Sequence, residues 1–234
     1  MNICVTGGAG FIGSHLVDRL IELGHDVLVI DNLSTGMRSF VHEDAQFIEM
    51  DVRDPKLLSV FEEFKPSIVF HEAAQTMVQS SMENPSYDCD VNLIGLINVL
   101  DACRKVNVEQ FLMPSSAAVY GDLAVLPLTE DLSGMPSSFY GLTKLTAEGY
   151  LRIYHEAFGL NTVCFRYANV YGPRQGDGGE GGVISIFNRL IVEGQPLTVF
   201  GDGEQTRDFI YVDDVVDANI KAMGNSQCTG IYNV

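Results

Sequence analysis

The chain has 234 residues, 46% of them apolar, and a formal charge of −17 at pH 7. That length suits one large domain or a domain and a half. The acidity argues against nucleic acid and anionic membranes as partners, and no apolar run approaches the length of a membrane span. Met1 runs almost at once into the first apolar stretch, leaving nothing for a targeting segment, so the expected location is cytoplasmic. Five cysteines (Cys4, Cys89, Cys103, Cys164, Cys228) are scattered without a CxxC pair, and Cys4 and Cys164 fall in expected buried strands, which predicts free core thiols rather than disulfides or metal ligands.

The opening stretch, MNICVTGGAGFIGSHLVDRLIELGHDVLVID, organises the rest of the chain. Ile3 and Val5 belong to a short buried strand that stops at glycines. Gly7, Gly10 and Gly13 punctuate a turn into a helix with Leu16, Leu20 and Ile21 at helical spacing. A second apolar run, Val27 to Ile30, ends on Asp31. Strand, glycine turn, helix, strand and terminal carboxylate compose a dinucleotide-binding βαβ unit. The helix N-terminus offers partial positive charge to a pyrophosphate. Asp31 would accept hydrogen bonds from ribose hydroxyls and repel a 2′-phosphate, which favours NAD over NADP.

Further along, Gln46 to Asp51 reads as a strand ending in an acid, with Asp51 and Val52 at the sheet edge beside the adenine. A helix is expected over Pro55 to Phe64, proline first. A strand over Ser67 to Phe70 closes at His71, expected to be satisfied by backbone. The small, polar HEAAQ segment after it (Ala73, Ala74, Gln75) suits a backbone passing under the cofactor; its Glu72 has no assigned part. A long helix is expected from Tyr87 to Val106, a strand over Gln110 to Met113, a helix from Phe139 and a strand from Thr162 to Arg166. This regular alternation implies a parallel sheet covered on both faces, with ligands at the carboxyl ends of its strands. Beyond Arg166 come a loop over Gly172 to Gly182, a helix Val183 to Glu193, strands at Leu197 to Phe200 and Asp208 to Val212, and a helix from Asp213. The chain closes inside a strand-like GIYNV. The expected class is therefore α/β, a Rossmann-type doubly wound sheet over 1–167 followed by a smaller, incomplete substrate domain over 168–234, parts of which pack back on the first.

Chemistry concentrates in two segments. SSAAVYG (Ser115 to Gly121) follows a central strand, and YGLTK (Tyr140 to Lys144) opens the next long helix. Tyr140 and Lys144 are four apart and share a helix face. A free tyrosine, with a pKa of about 10, is a poor base at neutral pH. An ammonium nearby and an oxidised nicotinamide favour the phenolate. Tyr140 would then take the proton of a sugar or alcohol hydroxyl, with Ser116 holding the same oxygen.

TGGAGFIG, Asp31, SSAAVYG, YGLTK and RYANVYGPRQ together resemble the extended short-chain dehydrogenase/reductases, and more closely the UDP-glucose (UDP-galactose) 4-epimerases. The resemblance spans essentially the whole chain. It implies a tightly held, recycled NAD, with Tyr140 as base, Ser116 as its partner and Lys144 bridging tyrosine and nicotinamide ribose. By the same resemblance Phe11 and Ile12 lie over the pyrophosphate, and Asp31, Asn32, Leu33, Ser34, Thr35 and Gly36 surround the adenosine with Asp51 and Val52. Asn92 and Tyr167 complete the residues expected to bind the cofactor. Asn169 and Arg207 would hold the nucleotide-sugar diphosphate, and Val183, Ile184, Thr198 and Phe200 would line the uridine. Related dehydratases and decarboxylases carry an acid just after the catalytic Ser or Thr, where this chain has Ala117 and Ala118, so epimerisation is preferred over elimination. The resemblance also implies a homodimer through the helices around 87–106 and 139–156. Alternatives are a nucleotide-sugar dehydrogenase or reductase, an epimerase for another position, and a truncated chain that binds NAD without turnover.

Overall fold

The computed structural model describes residues 1–123, 125–176 and 182–234, so part of the loop expected over 172–182 lies outside the described residues. β1 (Asn2–Thr6) is buried from Ile3 onward, and Gly7 turns the chain out of it with φ 72°. A Cβ on Gly7 would sit 2.5 Å from the Ala73 nitrogen, so this turn lies against the later chain only as glycine. α1 (Phe11–Glu22) then buries Gly13, Ser14, Leu16, Val17 and Leu20 on the sheet. β2 (Asp26–Asp31), β3 (Gln46–Glu49), α2 (Leu57–Phe64) and β4 (Ile68–His71) come next. Pro55 falls outside α2, because Asp54 turns the chain first by accepting the Lys56 N–H at 2.8 Å.

After β4, α3 (Val78–Glu83) and α4 (Pro85–Cys89) lead through a π-helical stretch, Asp90–Gly95, into α5 (Leu96–Val106). The uniform helix expected over 87–106 is therefore interrupted, and the widened turn carries Asn92 inward. β5 (Gln110–Ser116) precedes α6 (Phe139–Phe158) and β6 (Asn161–Tyr167). The Ser138 hydroxyl caps α6 by accepting the Gly141 N–H at 3.1 Å, and left-handed Gly159 ends it. The remaining elements are β7 (Asn169–Tyr171), α7 (Val183–Val192), β8 (Phe209–Tyr211), α8 (Val212–Ala222) and β9 (Gly230–Asn233).

Among the described residues the main sheet is parallel throughout, in the order β3-β2-β1-β4-β5-β6-β9. α2, α5 and α6 contribute to the core on one face, α1 and α8 to that on the other. Strand order reverses between β1 and β4, where Thr6 pairs with Ile30 on one side and His71 on the other. A crevice opens at such a reversal, outside the carboxyl ends of the strands. The C-terminal segments return to this framework. β9 joins β6, and α8 is tied to α1 by Arg19 and Asp217 at 2.8 Å. β7 and β8 form a separate parallel pair. The strand expected over 197–200 does not form. A strand needs a hydrogen-bonding neighbour, and this stretch is exposed, Phe200 to 81%.

Candidate active site

The strand ends enclose a cleft of about 890 Å³. Its floor at one end is the glycine turn. Gly10 precedes α1 without a capping side chain, and the first turn holds no acid, so its N–H groups remain available to an anion. A Cβ on Gly13 would lie 2.3 Å from the Gly7 oxygen, so the close turn depends on both glycines. Asp31 is buried at the end of β2, where Oδ2 accepts the Ala9 N–H at 3.0 Å and Oδ1 the Leu33 N–H at 2.8 Å. Each oxygen retains capacity for a second donor, as two ribose hydroxyls would require. Asp51 accepts from Asn32 at 2.8 Å and from Arg53, whose guanidinium holds its carboxyl well below the usual range. Gly7, Gly10, Phe11, Ile12, Gly13, Asn32, Ser34, Thr35 and Val52 share this wall with them. An anion-accepting turn beside a carboxylate with spare acceptor capacity fits a dinucleotide.

Three expected cofactor residues lie behind the wall. Leu33 turns the chain with φ 54°, and Gly36 packs where a Cβ would meet Ala9 at 2.9 Å. Asn92 is buried and braces the loop after β4, its Oδ1 accepting the Gln75 N–H at 2.9 Å and its Nδ2 donating to the Gln75 carbonyl at 3.0 Å. Ala73, Ala74, Gln75 and Tyr167 line the cleft itself. His71 is corrected in one respect: its Nδ1 pairs with the Thr6 hydroxyl at 2.8 Å, not with backbone. Burial, helped by Lys144, pushes its pKa down to about 3, so the ring stays neutral.

At the other end, β5 delivers Ser116 and the first two turns of α6 deliver Tyr140 and Lys144 to the same cleft. Tyr140 donates its backbone N–H to the Ser81 hydroxyl at 3.1 Å, which ties the start of α6 to α3. Lys144 is buried and donates to the Pro114 carbonyl at 3.0 Å, with Nζ 5.9 Å from the Tyr140 ring centre. Burial lowers the Lys144 pKa, while Glu72 and Asp88 act against that. In the chain alone the Tyr140 phenol is not the acidified group that the Tyr–Lys spacing suggests. Burial pushes it up to about 12, the Ser116 side chain pulling the other way by a hydrogen bond. Proximity to the ammonium does not by itself offset loss of water.

The expected substrate residues divide. Asn169, Val183 and Ile184 line the cleft, with the Asn169 side chain donating to the Asp208 carbonyl at 2.8 Å. Thr198, Phe200 and Arg207 do not. Thr198 and Phe200 lie on the exposed stretch where no strand forms, and Arg207, exposed just before β8, donates to the carbonyl of its neighbour Thr206 at 2.7 Å. Sequence reasoning missed Arg174 and Glu72 as wall residues. Arg174 stood in the RYANVYGPRQ motif, and Glu72 in HEAAQ was noticed without a part.

The NAD dependent epimerase/dehydratase family matches residues 3–234, and the chain belongs to that family. Its cofactor is accordingly NAD. It is 41% identical over 240 residues to a UDP-glucose 4-epimerase of Mycolicibacterium smegmatis, covering 100% of this chain and 77% of the relative. A UDP-glucose 4-epimerase of Thermotoga maritima, solved with UDP-glucose, superposes with a TM-score of 0.96 at 42% identity, covering 100% of this chain and 76% of that one. A UDP-N-acetylglucosamine 4-epimerase of Methanobrevibacter ruminantium superposes at 0.94 with 39% identity, over 100% of this chain and 76% of that one.

Proposed function

We propose that the chain epimerises a nucleotide sugar at C4, with UDP-glucose and UDP-galactose as the substrate pair. The observation that carries the reading is the meeting of Ser116, Tyr140 and Lys144 in one cleft with the glycine turn and Asp31. Bound NAD supplies a reversible hydride acceptor for C4. Tyr140 takes the C4 hydroxyl proton as the sugar passes to its 4-ketone and returns it after the ring presents its other face. Ser116 hydrogen-bonds the same oxygen and keeps it in line. Lys144 holds positive charge beside the phenol, which together with the oxidised nicotinamide counters the rise caused by burial. Asn169, Val183 and Ile184 face the sugar nucleotide. Ala117 and Ala118 offer no acid to expel a hydroxyl, which favours epimerisation over dehydration.

The proposed division is a cofactor half over 1–167 and a substrate half over 168–234, in a homodimer at a cytoplasmic location. Exposed Ile94, in the π-helical stretch, and Leu142, Tyr150 and Ile153, on α6, supply the apolar surface such a dimer needs. Relatives that differ in sugar keep the same fold, so UDP-N-acetylglucosamine is the second substrate to try. The test is interconversion of UDP-glucose and UDP-galactose by purified protein with no cofactor added. Turnover supports an epimerase with retained NAD. A requirement for stoichiometric NAD or NADH would instead make the protein a dehydrogenase or reductase.

A further inference from the structure

Tyr140 is held through its main chain as well as by its place in α6. Its N–H donates to the Ser81 hydroxyl of α3 at 3.1 Å, and the buried Ser81 donates in turn to the Val78 carbonyl at 2.6 Å. The Tyr140 carbonyl lies 3.0 Å from the hydroxyl of Thr143, one turn further along α6. That hydroxyl also reaches Asp88 of α4, 2.8 Å from its Oδ2. Asp88 is fully buried. Its other oxygen, Oδ1, accepts from the Gln75 amide at 2.7 Å and from the Asn92 amide at 3.2 Å.

One carboxyl thus joins two walls of the cleft. Gln75 belongs to the loop after β4, which lines the cleft at Ala73, Ala74 and Gln75, and Tyr140 lines it from α6. Asn92 closes the ring between them. Its side chain grips the Gln75 N–H and carbonyl, at 2.9 and 3.0 Å, and lies 3.4 Å from the Thr143 hydroxyl. Asn92 belongs to the π-helical stretch Asp90–Gly95, a kind of turn that interrupts ordinary helix and collects at functional sites. Each oxygen of Asp88 has a donor, and its three partners come from three separate parts of the chain. A buried polar network satisfied in this way rigidifies the elements it joins and specifies one arrangement of them.

We propose that Asp88 is a positioning residue for the proton transfer: through Thr143 on one side and Gln75 on the other, its carboxyl sets the spacing between Tyr140 and the loop after β4. The inference rests on the reading of Tyr140 as the proton acceptor. A base must lie within hydrogen-bond reach of the proton it takes, and a displacement of about 1 Å can cost roughly a hundredfold in rate. The Ser116 wall is anchored separately, by Lys144 to the Pro114 carbonyl at 3.0 Å and by the Ser115 hydroxyl to Glu148 at 2.6 Å. Loss of the Thr143 contact therefore leaves α6 on β5 but frees it from the loop after β4.

The test compares the unaltered holoenzyme with Thr143→Val, which keeps the side-chain shape and deletes the hydroxyl, and with Thr143→Ser, which keeps the hydroxyl. Thr143→Val should lower kcat about tenfold at unchanged KM with NAD retained, and Thr143→Ser should recover most of that loss. Asp88→Ala combined with Thr143→Val should be no slower than Asp88→Ala alone, because both act through one contact. Amide hydrogen exchange read by NMR needs no turnover. In Thr143→Val, exchange at the Tyr140 and Gln75 amides should quicken by about tenfold while β1 and β4 keep their rates. A parental kcat, a serine variant as slow as the valine one, multiplied losses in the double variant, or faster exchange throughout the sheet would each overturn the proposal. If the valine variant does not fold, Thr143→Ala, a better helix former, takes its place under the same criteria. An inactive parent protein would defeat the catalytic reading, and exchange at Gln75 would still decide whether Asp88 joins the two walls.

Discussion

Replacing Glu148 by glutamine should destabilise the fold far more than the loss of one charge from its surface. Glu148 of α6 and Arg166 of β6 form an ion pair with 4% side-chain exposure on each side. Arg166 grips the carboxylate twice, Nε to Oε1 at 2.9 Å and Nη2 to Oε2 at 2.8 Å. The Ser115 hydroxyl donates to the same Oε1 at 2.6 Å, and Arg166 Nη1 donates to the Tyr120 hydroxyl at 2.8 Å. Removing the carboxylate charge leaves a buried guanidinium uncompensated, a loss of about 3–5 kcal/mol. The matching control is Glu156→Gln, whose partner Arg152 lies at 3.0 Å on the surface with side chains 65% and 57% exposed. That pair is worth about 0.3–0.5 kcal/mol. Urea unfolding of both variants decides, since the buried change should move the midpoint by roughly 1 M or more. The amide oxygen of glutamine can still accept from Ser115, but its NH2 would meet the Arg166 Nη2 donor that now points at Oε2, so one of the two grips is lost. Equal midpoints for the two variants would show that the buried pair carries none of the stability assigned to it.

Asp31→Ala should weaken NAD about 10- to 100-fold, as expected for lost charge-assisted hydrogen bonds, and narrow the preference over NADP; calorimetric titration with both dinucleotides reads this, and tighter binding of NADP by the unaltered chain would reverse the assignment. Tyr140→Phe should keep NAD and lose a factor of about 10²–10⁴ in turnover, while Lys144→Met should lose turnover and move the basic requirement to higher pH. A near-parental rate for Tyr140→Phe refutes its part as base. With Ile94, Leu142, Tyr150 and Ile153 exposed, the protein should give a dimer mass at micromolar concentration by light scattering; a monomer mass refutes the dimer.

Local pattern predicted local structure best. The first βαβ unit was legible because the glycines, the apolar spacing and Asp31 each depend on near neighbours in the chain. The YGLTK spacing likewise placed Tyr140 and Lys144 on one helix face. What failed was set by distant partners. Nothing local distinguishes the π-helical stretch at 90–95 from regular helix, and its widened turn serves Gln75, 17 residues before Asn92. The apolar alternation over 197–200 suggested a strand, but strand formation depends on a neighbour that the local sequence does not contain. His71 was expected to turn to backbone, whereas its partner Thr6 comes from the adjacent strand 65 residues earlier. Burial also decides the sign of the Tyr140 shift, and the Tyr–Lys spacing alone carries no information about it.

The most direct test of hydride exchange at C4 is the fate of a label placed there. UDP-glucose carrying deuterium at C4 is incubated with the purified protein in ordinary water without added NAD, and the UDP-galactose formed is analysed by NMR and mass spectrometry. Reversible hydride transfer through a retained cofactor, with Tyr140 moving only the hydroxyl proton, predicts product that keeps its deuterium at C4. Product that has lost the label to solvent, or no product until NAD is supplied in stoichiometric amount, would contradict the account.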